Sequence, residues 1–156
     1  YGRKAMIVFA ACDTKRGEPT LNLYALPAIG PQRYDKANKL QLQLTRSELP
    51  IVTAVFAGQT PSCKFSAHGP AHDKGFSFER KGDVVMASAW AKGRSHTVPI
   101  SAADAFYICA ILWGQLARHA PGCDGAGLVL TLKAAAAIYH APELRAPLRE
   151  AQGGGR

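Results

Sequence analysis

Apolar and polar residues alternate through residues 63–100, and turn signals at Gly69-Pro70, Lys81-Gly82-Asp83 and Lys92-Gly93-Arg94 cut the alternation into four pieces. The pattern predicts a four-stranded antiparallel meander. A period of two puts Phe76, Phe78 and Arg80 on one face of a strand and Gly75, Ser77 and Glu79 on the other. Val84, Met86, Ser88 and Trp90 share a face of the next. Upstream, residues 3–11 form an apolar β segment closed by the polar turn 12–19, and residues 20–26 alternate again, so the two predict a hairpin. Residues 27–31 read as a non-regular connection, because each proline removes a ladder donor. Residues 39–45 predict a half-buried strand with Leu40, Leu42 and Leu44 inward and Lys39, Gln41, Gln43 and Thr45 outward.

The period then lengthens. Thr45-Arg46-Ser47-Glu48 is a capping box, with Glu48 placed to reach back to Thr45, and the helix after it carries Leu49, Val52 and Phe56 on one stripe until Gly58. Pro50 in its first turns predicts a short or tight helix. Ser101 and Asp104 cap a second helix, read with Phe106, Cys109, Ala110 and Trp113 on one stripe and Ile108, Leu112 and Leu116 beside it, closed by Pro121-Gly122. Strands followed by a helix, twice over, predict an α+β chain with two small sheets. Residues 128–139 predict a third helix stopped by His140-Ala141-Pro142, and Gly153-Gly154-Gly155-Arg156 a mobile tail. The domain division is thus 1–121, followed by an extension, 122–156, that is partly helical with a flexible end.

Among 156 residues, 47% are hydrophobic and 19% charged, a globular balance that excludes general disorder. The net charge of +8 narrows the partners to polyanions, either nucleic acid or an anionic surface. The longest apolar run is too short to span a bilayer, so no membrane partner is expected. Cys12, Cys63, Cys109 and Cys123 are widely spaced with no C-x-x-C pair, which predicts free thiols. The chain begins at Tyr1 without an initiator Met, as a mature or trimmed product would.

Rings on a sheet inside a basic frame suit single-stranded nucleic acid, since unpaired bases stack on rings and phosphates need cations along their track. The candidates are Lys36, Lys39, Lys64, Lys74, Arg80, Lys92 and Arg94 for phosphate, and Phe65, Phe76, Phe78 and Trp90 for base stacking. The competing reading of Phe76, Phe78 and Trp90 is that they fill a core. Cys63, His68 and His72 have a C-x4-H-x3-H spacing but lack a fourth ligand, so no metal site is assigned. Ser95-His96 has no oriented acid within sequence reach, and phosphate-cradling glycine loops are absent. The chain is read as a non-enzyme with no cofactor.

Gly2, Lys4 and Ala5 in Tyr1-Gly2-Arg3-Lys4-Ala5-Met6 match a lysine-glycine-asparagine-lysine-alanine-alanine motif, from which Tyr1, Arg3 and Met6 depart. Pro27-Ala28-Ile29-Gly30, with Tyr34-Asp35 five residues on, matches a second motif. Ser62-Cys63 and Val98-Pro99 match two further short ones. In order and spacing, over residues 1–121, these resemble the Whirly family of single-stranded nucleic-acid-binding proteins. The resemblance implies two antiparallel four-stranded sheets packed crosswise and held by two helices, in a homotetramer. It also implies low-specificity binding of single-stranded DNA or RNA in genome maintenance, transcription or RNA metabolism, and a plastid, mitochondrial or nuclear location (cytoplasmic in a bacterium). Lys4 matches the motif lysine used when tetramers assemble further. The connection 12–19 is shorter than the family's, which would curtail one strand. The alternative is the same fold built into a larger ribonucleoprotein, such as an organellar ribosome, with the extension docked on a neighbour.

Overall fold

The structure, a computed structural model, describes residues 2–140. Tyr1 and residues 141–156, including the glycine-rich tail and the Ala141-Pro142 part of the helix stop, lie outside the described residues.

Two antiparallel four-stranded sheets result. The first comprises β1 (Ala5–Asp13), β2 (Pro19–Gly30), β3 (Arg33–Tyr34) and β4 (Leu40–Gln43). Within it β2 runs between β1 and β4, and β3 pairs with the far end of β2. After α1 (Glu48–Phe56) comes the second sheet, β5 (Ser62–His68), β6 (Lys74–Lys81), β7 (Val84–Ala91) and β8 (Arg94–Ser101), paired in sequence order as the meander predicts. Two helices follow, α2 (Ala102–His119) and α3 (Gly125–Tyr139).

The β1–β2 hairpin forms, but β2 continues through the segment read as non-regular. Ala28 donates to the Lys4 carbonyl on the β1 side at 2.9 Å, so the missing N–H of Pro27 faces the other side, where β4 has already ended opposite Ala25. That side of Pro27 is used only by its carbonyl, which accepts from Asp35. A proline is tolerated in a strand where no donor is required. Tyr34 anchors this turn by donating its hydroxyl to the Gly2 carbonyl at 3.3 Å.

Glu48 reaches back to the Thr45 amide at 2.8 Å, as the capping box predicts. The Thr45 hydroxyl pairs with that of Ser47 instead of an orphan amide. The second Glu48 oxygen meets His68 Nε2 at 2.8 Å, so this buried carboxylate ties the start of α1 to the end of β5. Ser101 caps α2 as read, accepting from the Asp104 amide. Asp124 caps α3 in the same manner, taking the Gly127 amide at 2.7 Å, which starts that helix earlier than its apolar run suggested.

One core joins everything. Leu21, Leu23, Leu40 and Leu42 of the first sheet meet Cys63, Phe76, Phe78 and Ala87 of the second. The helices supply Leu49, Val52 and Val55, then Leu112 and Leu116, then Leu128 and Leu132. Each of the leucines, valines and phenylalanines among them contributes about 1.5–3 kcal/mol by leaving water. The face of α2 differs from the expected stripe: Leu112 and Leu116 are inside, whereas Phe106 is 69% exposed and Ala110 is exposed. The displacement follows from Gln115, a buried polar residue that donates to the carbonyls of Cys12 and Thr20 and turns that side of the helix onto the β1–β2 hairpin. Arg118 and Asp13, joined at 2.8 and 3.1 Å, and His119 on the Pro19 carbonyl complete the attachment. The Arg118 guanidinium, donating a hydrogen bond, holds the Asp13 carboxyl below its ordinary range.

Candidate nucleic-acid interface

Strand register decides which side chains can meet a ligand. Across the second sheet the row Cys63, Phe78, Ala87, Val98 is buried throughout, and the adjacent row Lys64, Ser77, Ser88, Thr97 faces out. Trp90 belongs to the outward face and pairs with Gly75 on the neighbouring strand. With no side chain on Gly75, the indole lies across β6, and a Cβ built there would collide with it. Lys64 reaches over from β5 to place its ammonium 5.5 Å from the centroid of the Trp90 ring. The hydroxyls of Ser88 and Thr97 bond each other at 2.9 Å beside this platform.

The first sheet repeats the arrangement. Leu23 and Leu42 face in, so Tyr24 and its partner Gln41 face out, with Lys39 placing its ammonium 4.8 Å from the Tyr24 ring centroid. Asn22 donates to the Tyr24 hydroxyl at 3.2 Å. The loop before Lys39 is set by Asp35, whose carboxylate accepts from the amides of Ala37 and Asn38 and from the Asn38 side chain. Those bonds, that from the Asn38 side chain foremost, hold its carboxyl below the usual range. Arg94, in the β7–β8 turn, donates to the Asn38 carbonyl at 3.3 Å. The turn bearing Lys92 and Arg94 thereby meets the loop bearing Lys36 and Lys39, forming a seam between the two sheets.

Not all the predicted residues converge. Lys36, Lys39, Lys64, Trp90, Lys92 and Arg94 lie on the outward faces or at the seam. Phe76 and Phe78 are 0% and 1% exposed, so neither can stack on a base: the face they share with Arg80 is the inward one. Phe65 follows them, its ring between Phe76 at 5.5 Å and Tyr139 at 5.8 Å. Arg80 continues that inward row to its end and rests its guanidinium against Gly58, away from Trp90. Lys74 lays its stem on Gly69 in the β5–β6 turn. Lys4 is exposed at the head of β1. Tyr24 is absent from the stacking candidates, although its alternation with Leu23 and Ala25 already placed its ring outward.

The thiols are free: Cys63 buried, Cys12 and Cys109 half-buried, Cys123 exposed. Burial pushes the Cys63 thiol up to about 12, which removes it as a nucleophile. His68 is bound to Glu48 and His72 to the Ala67 carbonyl at 3.0 Å, and among the described residues no group of three His, Cys, Asp or Glu side chains could hold a metal ion. Among them, too, no helix is long and apolar enough to cross a membrane.

No protein-family model matches the chain, and no curated protein does. Solved structures do. WHY1 from Arabidopsis thaliana matches with a TM-score of 0.54 at 20% identity, over 75% of this chain and 86% of its own. WHY3 from the same plant matches with a TM-score of 0.56 at 20% identity, over 90% and 92%. The plant transcriptional regulator PBF-2 matches with a TM-score of 0.54 at 20% identity, over 78% and 90%. All three are Whirly proteins, and two four-stranded antiparallel sheets with helices after each are the architecture of this chain, which therefore has the Whirly fold.

Proposed function

We propose that this chain binds single-stranded nucleic acid, DNA or RNA, with low sequence specificity and without catalysis. The observation that carries the reading is the repeated pair of an outward ring and a lysine, Tyr24 with Lys39 and Trp90 with Lys64, on two sheets joined where Arg94 meets Asn38. Rings supply stacking that is indifferent to base identity, and the lysines and arginine supply a phosphate track. A plant transcriptional regulator among the structural neighbours supports a role on nucleic acid, and the plant origin of those neighbours supports the organellar or nuclear compartment implied by the sequence resemblance.

Assembly into a homotetramer is part of the reading. Tyr107, 67% exposed, stands with Ile111 on one side of α2 beside a recess lined by Met6, Val8 and Val98, and Phe106, 69% exposed, meets the Tyr107 ring edge-on from the next side of the helix. Further copies of the chain would cover this apolar face. Lys4 would serve contacts between tetramers.

Fluorescence polarisation with a labelled single strand and its duplex tests the function. Tighter binding to the single strand, with log affinity falling linearly against log salt, is expected. Equal or better binding to the duplex overturns it. A second reading, a subunit of a larger ribonucleoprotein, is favoured by Leu130 and Ile138, each 66% exposed on α3. Recovery of the native protein free of RNA and large partners eliminates that version.

A further inference from the structure

We infer that Lys39 and Lys64 are placeholders: in the free protein each ammonium occupies the ring face on which a base must stack, and binding exchanges it for the base while the lysine moves to a phosphate. The inference rests on the reading of these faces as a single-strand interface, and adds how the site opens. The Trp90 ring packs against Gly75, where an added Cβ would meet its Cζ2 and Cε2 atoms, and the Lys64 ammonium stands over the ring at 5.5 Å. A base in van der Waals contact with the indole cannot share that space. On the other sheet Lys39 stands over Tyr24 at 4.8 Å, while Asn22 holds the phenol oxygen. The two pairs come from different strands and different sheets, so the arrangement does not arise from one local sequence repeat.

Lys39 and Lys64 are exposed, and a solvated ammonium over a half-buried ring is held weakly, so that stacking of a base is the stronger contact. The displaced lysine loses nothing, because every nucleotide brings a phosphate within reach of a flexible four-carbon stem. The exchange needs a free base and a phosphate together. A duplex offers phosphates with its bases already paired, and an abasic strand offers phosphates alone. Neither completes it, so the lysines act as a filter for unpaired polynucleotide.

Neither lysine is engaged in an ion pair among the described residues. Among those residues its ring is what has to release each ammonium.

Reductive 13C-methylation keeps the lysine charge and makes each ammonium visible by NMR. In the free protein the dimethyl signals of Lys39 and Lys64 should lie upfield of that of Lys92, shifted by the ring currents. Saturation with oligothymidylate should abolish the upfield shift, and an abasic oligonucleotide of equal length should leave it. Absence of the shift in the free protein, or its persistence at saturation with oligothymidylate, overturns the inference while the single-strand reading stands. Failure of oligothymidylate to bind at all removes both. Lys64→Met adds a second readout: its log affinity for oligothymidylate should fall less steeply with log salt, by about 0.7 in slope, so that its curve crosses that of the parent protein at high salt. A loss of affinity by the same factor at every salt concentration counts against the exchange.

Discussion

Gly75 and Trp90 pair across β6 and β7 with the indole lying over the bare Cα of the glycine, where a Cβ would stand 2.6 Å from the Phe65 carbonyl oxygen and closer still to the ring. The second sheet therefore offers a flat aromatic surface only because one residue lacks a side chain. Gly75→Ala forces the indole or the β5 backbone to move. Its expected cost is about 1–3 kcal/mol in urea denaturation, and oligothymidylate affinity should fall with it as the ring lifts from the sheet.

Trp90 and Phe78 lie on opposite faces of the second sheet. Trp90→Leu should leave stability nearly unchanged and cost about 1–3 kcal/mol of single-strand affinity, the worth of one stacked base. Phe78→Ala should cost about 3–5 kcal/mol of stability, because Phe78 packs against Phe9, Phe56 and Phe76 in the core. The fraction that stays folded should bind as the parent does. Polarisation titrations beside denaturation curves separate the two, and a Phe78 variant that is stable but fails to bind would contradict the inward placement.

The period of two made the alternation of both sheets legible before any coordinates: Leu40, Leu42 and Leu44 inward, Val84, Met86, Ser88 and Trp90 together. What it does not carry is the sign of a face. Phe76 and Phe78 alternate with Gly75, Ser77 and Glu79 as regularly as Trp90 alternates with Ala89 and Ala91. Which set faces in is decided by the partner rows Cys63 and Ala87, two strands that share no local pattern with β6. The same limit explains α2, whose inward face is set by Gln115 finding the carbonyls of Cys12 and Thr20 far away in sequence. The seam between the sheets is invisible in one dimension, since Asn38 and Arg94 belong to separate loops. Of the lysines at that seam, Lys36 and Lys92 carry charge as their sequence signal, whereas Lys39 is also set outward by the alternation of residues 39–45.

His96 reports on the seam. Burial, and then the positive charge of Arg94, hold its imidazole below the ordinary value of 6.5. Because the folded value is the lower one, the neutral ring's contribution to stability is complete above 6.5. It shrinks as the pH falls from there to the folded value and is absent below that. Arg94→Ala should move the His96 titration up toward the ordinary value in an NMR titration. A bound strand should move it the same way, since a phosphate on Arg94 cancels the charge that His96 senses. A titration unchanged by saturating oligonucleotide would mean that Arg94 holds no phosphate.

The end of α3 is fastened to the edge of the second sheet by a tyrosine that does two things at once. The Tyr139 hydroxyl accepts from the Lys64 amide at 3.1 Å and lies 3.3 Å from the Lys64 carbonyl, to which it donates. His140 reaches the Ser62 carbonyl at 3.0 Å. The Ser62 carbonyl and both backbone groups of Lys64 are thus taken by side chains of the extension, which blocks this end of the β5 edge from pairing with another strand. Higher up the helix, Leu132 is buried in the common core. Leu132→Ala should cost about 2–5 kcal/mol, and Tyr139→Phe about 1 kcal/mol, both read from denaturant midpoints. Lys64 is the residue whose side chain covers Trp90, so Tyr139→Phe should also act locally on that residue. Tyr139→Phe frees the β5 backbone at Lys64 and should speed amide hydrogen exchange there, whereas a variant at the far end of the helix, Leu130→Ala, should leave that amide protected. Equal exchange at Lys64 in the parent and in Tyr139→Phe would show that the tyrosine does not fasten the strand.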